Sequence, residues 1–168
     1  IAERVARLLT NSILLAGDFA LKRAIATYDP STLSSVALNY QQRIGVDLLW
    51  ITDETGVLLG DSLGRRTSRT SLATSLPLAE ALASGEAAAS IAEVDGALFQ
   101  LVAVPVLGPD VIGFLLLGQG IDDPLAQQLE KDTGSHISFL TQAQYFASSW
   151  SQKERVRLPL PAQLVSRL

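Results

Sequence analysis

Between Ala88 and Gln119 the chain carries three apolar runs divided by two tight turns, and this pattern limits the fold more than any other feature. Ala88 to Val94 is the first run, closed by Val94-Asp95-Gly96. Ala97 to Leu107 is the second, closed by Gly108-Pro109-Asp110, and Val111 to Gln119 is the third. Asp-Gly between apolar runs signals a hairpin, because those residue types accept the positive φ that a tight turn demands. Strands this apolar leave no face for water, so the sheet is covered on both sides or encloses a cavity. The segment therefore predicts a three-stranded antiparallel meander inside a layered domain.

The segment before the meander supplies the other pieces. Val46 to Thr52 reads as a strand by its β-branched and aromatic content, Asp53-Glu54-Thr55-Gly56 as a turn, and Val57 to Gly60 as the returning strand. Residues 1–28 read as one long helix. Ile1, Val5, Leu8, Ser12, Leu15 and Phe19 recur at spacings of four and three, a seam of the coiled-coil type that suits a partner, or equally an ordinary amphipathic helix packed on its own domain. Asp29-Pro30-Ser31 stops that helix and starts another over 31–44, with Asp29 or Ser31 as its cap and Gly45 as its terminator. Residues 61–76 are polar and without period, a loop of functional length. Pro77 to Ser84 is a short helix, Asp122-Asp123-Pro124 starts a helix over 124–133, and His136 to Thr141 and Tyr145 to Ser149 are short strands. Beyond Ser151 charge and proline increase. The fold class is α+β, with a five-stranded antiparallel sheet and flanking helices.

Composition closes several doors. With 168 residues, 48% of them hydrophobic, the chain is long enough for one good core or two small ones and too apolar for intrinsic disorder. A net charge of −4 with dispersed basic residues carries no nucleic-acid footprint. There is no Cys, which removes thiolate catalysis and Cys-ligated zinc. There is no Met, even at position 1, so the chain reads as a piece of something longer. The single His136 excludes a His-rich metal site. No run of eighteen apolar residues is present, so any span of a parent protein lies outside this piece.

In its order of pieces the chain resembles the Cache-type sensor domains, which are PAS-like. The resemblance is carried by residues 46–62, a strand, an acidic turn with Gly, a second strand and a small residue. It is carried also by the hairpin of residues 99–106 and 111–118, and by the long helix ahead of the sheet. Residues 120–140 further resemble the opening of the second module in double-Cache sensors. The resemblance implies three parts: a membrane-proximal dimer helix over 1–28, a sensor module over 29–121, and a segment over 122–168 that completes the module or starts a truncated second one. It implies an extracytoplasmic, periplasmic location, a small-molecule ligand such as an organic acid or amino acid, and an output module across the membrane. That output is a histidine kinase, a nucleotide cyclase or a chemotaxis module. It implies no catalytic residue, metal or cofactor within the piece.

The candidate ligand residues follow from the chemistry. Arg65, Arg66 and Arg69 sit in the polar loop, and guanidinium forks suit carboxylates and phosphates. Trp50, Tyr40 and Phe99 offer apolar walls, and Gln100 and Gln119 are polar groups inside apolar strands. The expectation is an inward-turned arginine in a cavity bounded by Trp50, Gln100 or Gln119. Set against it is the plain reading of exposed arginines, core aromatics and strand-edge glutamines. The partners expected are a ligand, a second copy joined in parallel through residues 1–28, and a membrane reached by flanking segments. The rival function is a structural dimerisation and relay module with no ligand.

Overall fold

The first hairpin and the meander join in one sheet. In the computed structural model, which describes residues 2–66, 69–75, 77–141 and 144–151, five strands form it: β1 (Leu48–Thr52), β2 (Leu58–Asp61), β3 (Ala88–Val94), β4 (Ala97–Leu107) and β5 (Val111–Gly120). Their order is β2-β1-β5-β4-β3, so the hairpin docks on the last strand of the meander. β1 runs antiparallel to both neighbours, with Trp50 opposite Asp61 on one side and Leu116 on the other. This is the α+β, PAS-like sheet expected from the sequence.

Four helices belong to the same compact unit, which comprises residues 1–92 and 99–119. They are α1 (Ala2–Ala16), α2 (Phe19–Ile25), α3 (Pro30–Ile44) and α4 (Leu78–Ser84). Residues 1–28 are thus two helices rather than one. The break comes at Gly17 and Asp18, where Asp18 turns to extended backbone (ψ 125°) and its side chain accepts the Ala20 N–H at 2.7 Å. A local cap here outcompetes helix continuation. Asp29, not Ser31, caps α3 by accepting the Thr32 N–H, and Gly45 ends it at φ 73°.

Alternation along the strands sorts the sheet's two faces. Leu49, Ile51, Val102, Val104, Leu115 and Leu117 share one core with the helices. The helices contribute Leu8 and Leu15 of α1, Leu21 and Ile25 of α2, and Leu33 of α3. Of the two readings of the seam, the core helix is the one seen within the chain: Leu8, Ser12 and Leu15 are buried against its own core, while Phe19 is 73% exposed. A hydrophobic stripe packs on the nearest apolar surface, and here the sheet provides it. Ile1, at the head of that seam, lies outside the described residues. α3 approaches β2 so closely that a Cβ on Gly60 would meet the Leu33 carbonyl at 2.7 Å, which is why glycine stands there. On the opposite face Leu48, Trp50, Leu101, Phe114 and Leu116 are also buried, which accounts for the unbroken apolar reading of the strands.

A second compact unit comprises residues 93–98 and 120–168. Within it α5 (Asp123–Thr133) is capped by Asp122, and β6 (Ser138–Thr141) pairs antiparallel with β7 (Gln144–Ser148). Leu98, Ile121 and Ala147 form its small core, and the Asp123 carboxylate accepts the Ser148 N–H at 2.8 Å. The charged, proline-containing tail after Ser151 lies outside the described residues.

Candidate functional site

The loop that leaves β2 is organised by one carboxylate. Asp61 ends the strand and is 5% exposed. Its Oδ1 accepts the Trp50 indole Nε1–H at 3.0 Å and the Leu63 N–H at 2.9 Å. Its Oδ2 accepts the Arg65 and Arg66 N–H groups, each at 2.9 Å. Four donors converge on this one buried carboxylate and satisfy it, as buried charge requires. Ser62 adds a clamp: its N–H donates to the Leu49 carbonyl and its Oγ accepts the Leu49 N–H, both at 3.0 Å. The first turn of the loop is thereby fixed to β1.

This turn aims the basic residues differently. Arg66 is half-buried, and its guanidinium carbon lies 4.8 Å from the Trp50 ring centroid, within cation–π range. Arg65 and Arg69 are exposed. Arg69 stands at φ 76°, where non-glycine residues are rare, and its N–H donates to the Leu58 carbonyl at 2.8 Å. The chain from Arg69 to Leu72 thus lines β2: Leu58 N–H donates to Thr70, and Leu72 N–H to Gly56.

The glutamines are elsewhere. Gln100 is fully buried on β4 and, by alternation, shares its face with Val102, Val104 and Val106 of the helix-side core. Gln119 lines a cleft of about 230 Å³ with Arg7 and Asn11 of α1. Trp50 pairs with Leu116 and Asp61, whereas the helix-side residues of β5 are Leu115 and Leu117. Trp50 and Arg66 are brought together, and the sheet separates them from Gln100 and Gln119. Tyr40 faces the helical layer too, donating its hydroxyl proton to Asp18 at 3.0 Å. That bond and the Ala20 N–H hold the Asp18 carboxyl below its ordinary range, the Ala20 bond most strongly.

Sequence reasoning passed over Asp61. Asp-Ser after an apolar strand is a recognisable turn start, but nothing local says that a tryptophan eleven residues earlier reaches it. Among the described residues no group of three or more His, Asp or Glu is placed to hold a metal ion.

The profile of the family described as "Double sensory domain of two-component sensor kinase" matches residues 1–160. The chain belongs to that family. Solved structures share the architecture of this double sensory domain. The E. coli DcuS sensor domain superposes with a TM-score of 0.62 at 17% identity, over 73% of this chain and 91% of its own. The sensor domain of the V. cholerae histidine kinase DctB gives 0.68 at 16%, over 96% and 68%. The ligand-binding domain of the Campylobacter jejuni chemoreceptor Tlp3, solved in complex with L-valine, gives 0.60 at 14%, over 92% and 65%. In direct sequence comparison no curated protein matches. The sensory domain's described residues include no helix long and apolar enough to cross a membrane.

Proposed function

We propose that the chain is the extracytoplasmic, periplasmic ligand-sensing part of a transmembrane signalling receptor, anchored by segments flanking this piece and paired through residues 1–28. Its ligand is a small carboxylate, an organic acid or an amino acid. The reader is the loop after β2: Arg66 on Trp50 holds the carboxylate, and Arg65 and Arg69 add charge at the entrance. The observation that carries this reading is the guanidinium of Arg66 held 4.8 Å over Trp50 by a turn whose backbone is tied to Asp61. A guanidinium kept in place beforehand loses less freedom on binding an anion than a mobile one. Gln100 and Gln119, on the helical side, take the role of relay rather than contact, Gln119 beside α1. The C. jejuni chemoreceptor seen with L-valine supports the ligand class. Residues 122–168 are proposed as the opening of a second module, in keeping with the double character of the family.

Binding acts by preference. A ligand that favours one arrangement of loop and sheet shifts the population by about tenfold for each 1.4 kcal/mol of differential affinity, and the terminal helices carry the shift. The test is calorimetry with a panel of small carboxylates and amino acids, on the wild type and on Arg65→Ala, Arg66→Ala and Arg69→Ala. Arg66→Ala is expected to weaken binding by about 1.5–3 kcal/mol, the usual net worth of a hydrogen bond to a charged group. The two exposed arginines are expected to matter by less than about 1 kcal/mol each. If no member of the panel binds below millimolar, or if Arg66→Ala binds as the wild type does, the ligand reading fails and a relay module without a ligand takes its place.

A further inference from the structure

A polar cleft of about 230 Å³ lies away from the loop site, where α1, the end of α3 and the end of β5 come together. Arg7 and Asn11 stand four residues apart on α1, which sets them on one face of the helix. Gln119, next to last in β5, reaches the same cleft from the sheet. Asn11 and Gln119 are half-buried and Arg7 is exposed. Among the described residues, none of these three side chains makes a hydrogen bond or an ion pair. No Asp or Glu among those residues lines the cleft.

A guanidinium and two carboxamides give this cleft a surplus of N–H donors and no acid to receive them. The chemistry that answers such a set is a carboxylate. The guanidinium fork takes its two oxygens together, and each amide can donate to a lone pair that remains. Leu8 and Ile44 also line the cleft and suit a short alkyl chain. The volume is below the roughly 300–1,000 Å³ of ordinary small-molecule sites, so the acid has few carbons. The end of α3 sets the charge. Ile44 and the cap Gly45 line the cleft, and a helix C-terminus carries partial negative charge. One negative charge is offset there by Arg7; a second meets the helix end unopposed. A monocarboxylate is therefore favoured over phosphate or a dicarboxylate.

We propose that this cleft is a second anion site, which takes the carboxylate of a short monocarboxylic acid and is separate from the loop after β2. Gln119 contacts the acid here, although the sheet keeps it from any ligand of the loop. An occupied cleft ties α1 to β5, the strand whose Leu116 pairs with Trp50. The inference does not depend on the loop's arginines.

The side-chain amide resonances of Asn11 and Gln119 report on the cleft directly. The chain, labelled with ¹⁵N, is titrated with sodium propionate, and separately with phosphate and succinate, against sodium chloride at matched ionic strength. Propionate is expected to shift both amides along a saturating curve with a dissociation constant of about a millimolar, within reach of so few atoms. Arg7→Ala is expected to weaken that binding by about tenfold or more, since the charge-assisted fork is lost. Arg7 is exposed and makes no contact that the fold needs, so this variant stays folded. Gln119→Glu, which places a carboxylate in the cleft itself, is expected to abolish the shift of Asn11. Arg66→Ala is expected to leave both amide shifts as in the wild type. Amides that move no more with propionate than with chloride, or an unchanged curve in Arg7→Ala, overturn the site. Tighter binding of phosphate or succinate than of propionate overturns the assignment to a monocarboxylate. The two sites fail separately: binding lost with Arg66 and kept with Arg7 sinks the cleft alone, and the reverse sinks the loop alone.

Discussion

Asp61 shows how much one side chain can organise. It receives an indole N–H and three backbone N–H groups, and so joins strand, loop and Trp50 at a single buried point. Removing it as Asp61→Ala leaves those donors facing a cavity, and each buried donor left unpaired costs about 1–3 kcal/mol. Water entering the loop relieves part of this, so a loss of about 3 kcal/mol is expected in urea unfolding followed by tryptophan fluorescence. A change smaller than about 0.5 kcal/mol, the ordinary size for a surface substitution, would show that the loop holds its shape without the carboxylate. The same variant also loosens Arg66, whose backbone hangs from Asp61. Its ligand affinity should fall with its stability, although Asp61 touches no ligand in the proposed site.

At the scale of elements, the helical layer divides labour between adjacent positions of α1. Leu8 and Leu15 are 2% and 5% exposed and pack in the sheet-side core, whereas Leu14, one residue from Leu15, is 71% exposed. The helical turn of 100° per residue makes neighbours in sequence strangers in space. Leu8→Ala is expected to cost about 2–5 kcal/mol in thermal or urea unfolding, by lost transfer energy and the cavity left behind. Leu14→Ala is expected to change stability by no more than about 0.5 kcal/mol. Equal effects at the two positions would mean that α1 is rotated from the arrangement described. The break between α1 and α2 belongs to this scale too, because the Asp18 carboxylate both caps α2 and holds the Tyr40 hydroxyl of α3.

At the scale of the molecule, the sheet is a partition. Trp50 and Arg66 lie on one face, Gln100 and the Leu8 core on the other, so a ligand event at the loop reaches that core through the strands between them, or reaches α3 through the Asp61 N–H, which donates to Ser34 Oγ at 3.5 Å. β1 is one such route, since Trp50 faces one side and its neighbours Leu49 and Ile51 the other. A ligand that binds only the folded chain raises its unfolding free energy by about 2.7 kcal/mol at a hundred times its Kd. For a chain of this size that corresponds to a rise in Tm of roughly 5–10 °C. A carboxylate that binds by calorimetry yet leaves Tm unmoved at that concentration would be binding the unfolded chain equally well. It would then have no claim to be the signal.

The local devices were legible from the sequence: a cap at Asp29 or Ser31, a helix start at Asp122-Asp123-Pro124, the Gly45 terminator, and the spans of β3 and β4. Each depends on residues within a few positions of one another, and short-range sterics and hydrogen bonds decide them. The family order, helices then hairpin then meander, was legible for the same reason, because it is a sequence of such local decisions. What tertiary structure decided was everything that depends on which face meets what. A seam at heptad spacing announces that it will be buried but not against which surface, and the chain's own sheet took it. Gln100 and Trp50 are both polar-tipped residues on apolar strands, yet the register of β1 with β5 and the alternation along β4 set them on opposite sides. Asp61 read only as the first residue of a polar loop until pairing with β1 brought the Trp50 indole to it. Burial and register arise from contacts distant in sequence, and a period of two or of 3.6 fixes which residues share a face while leaving open which way that face will turn.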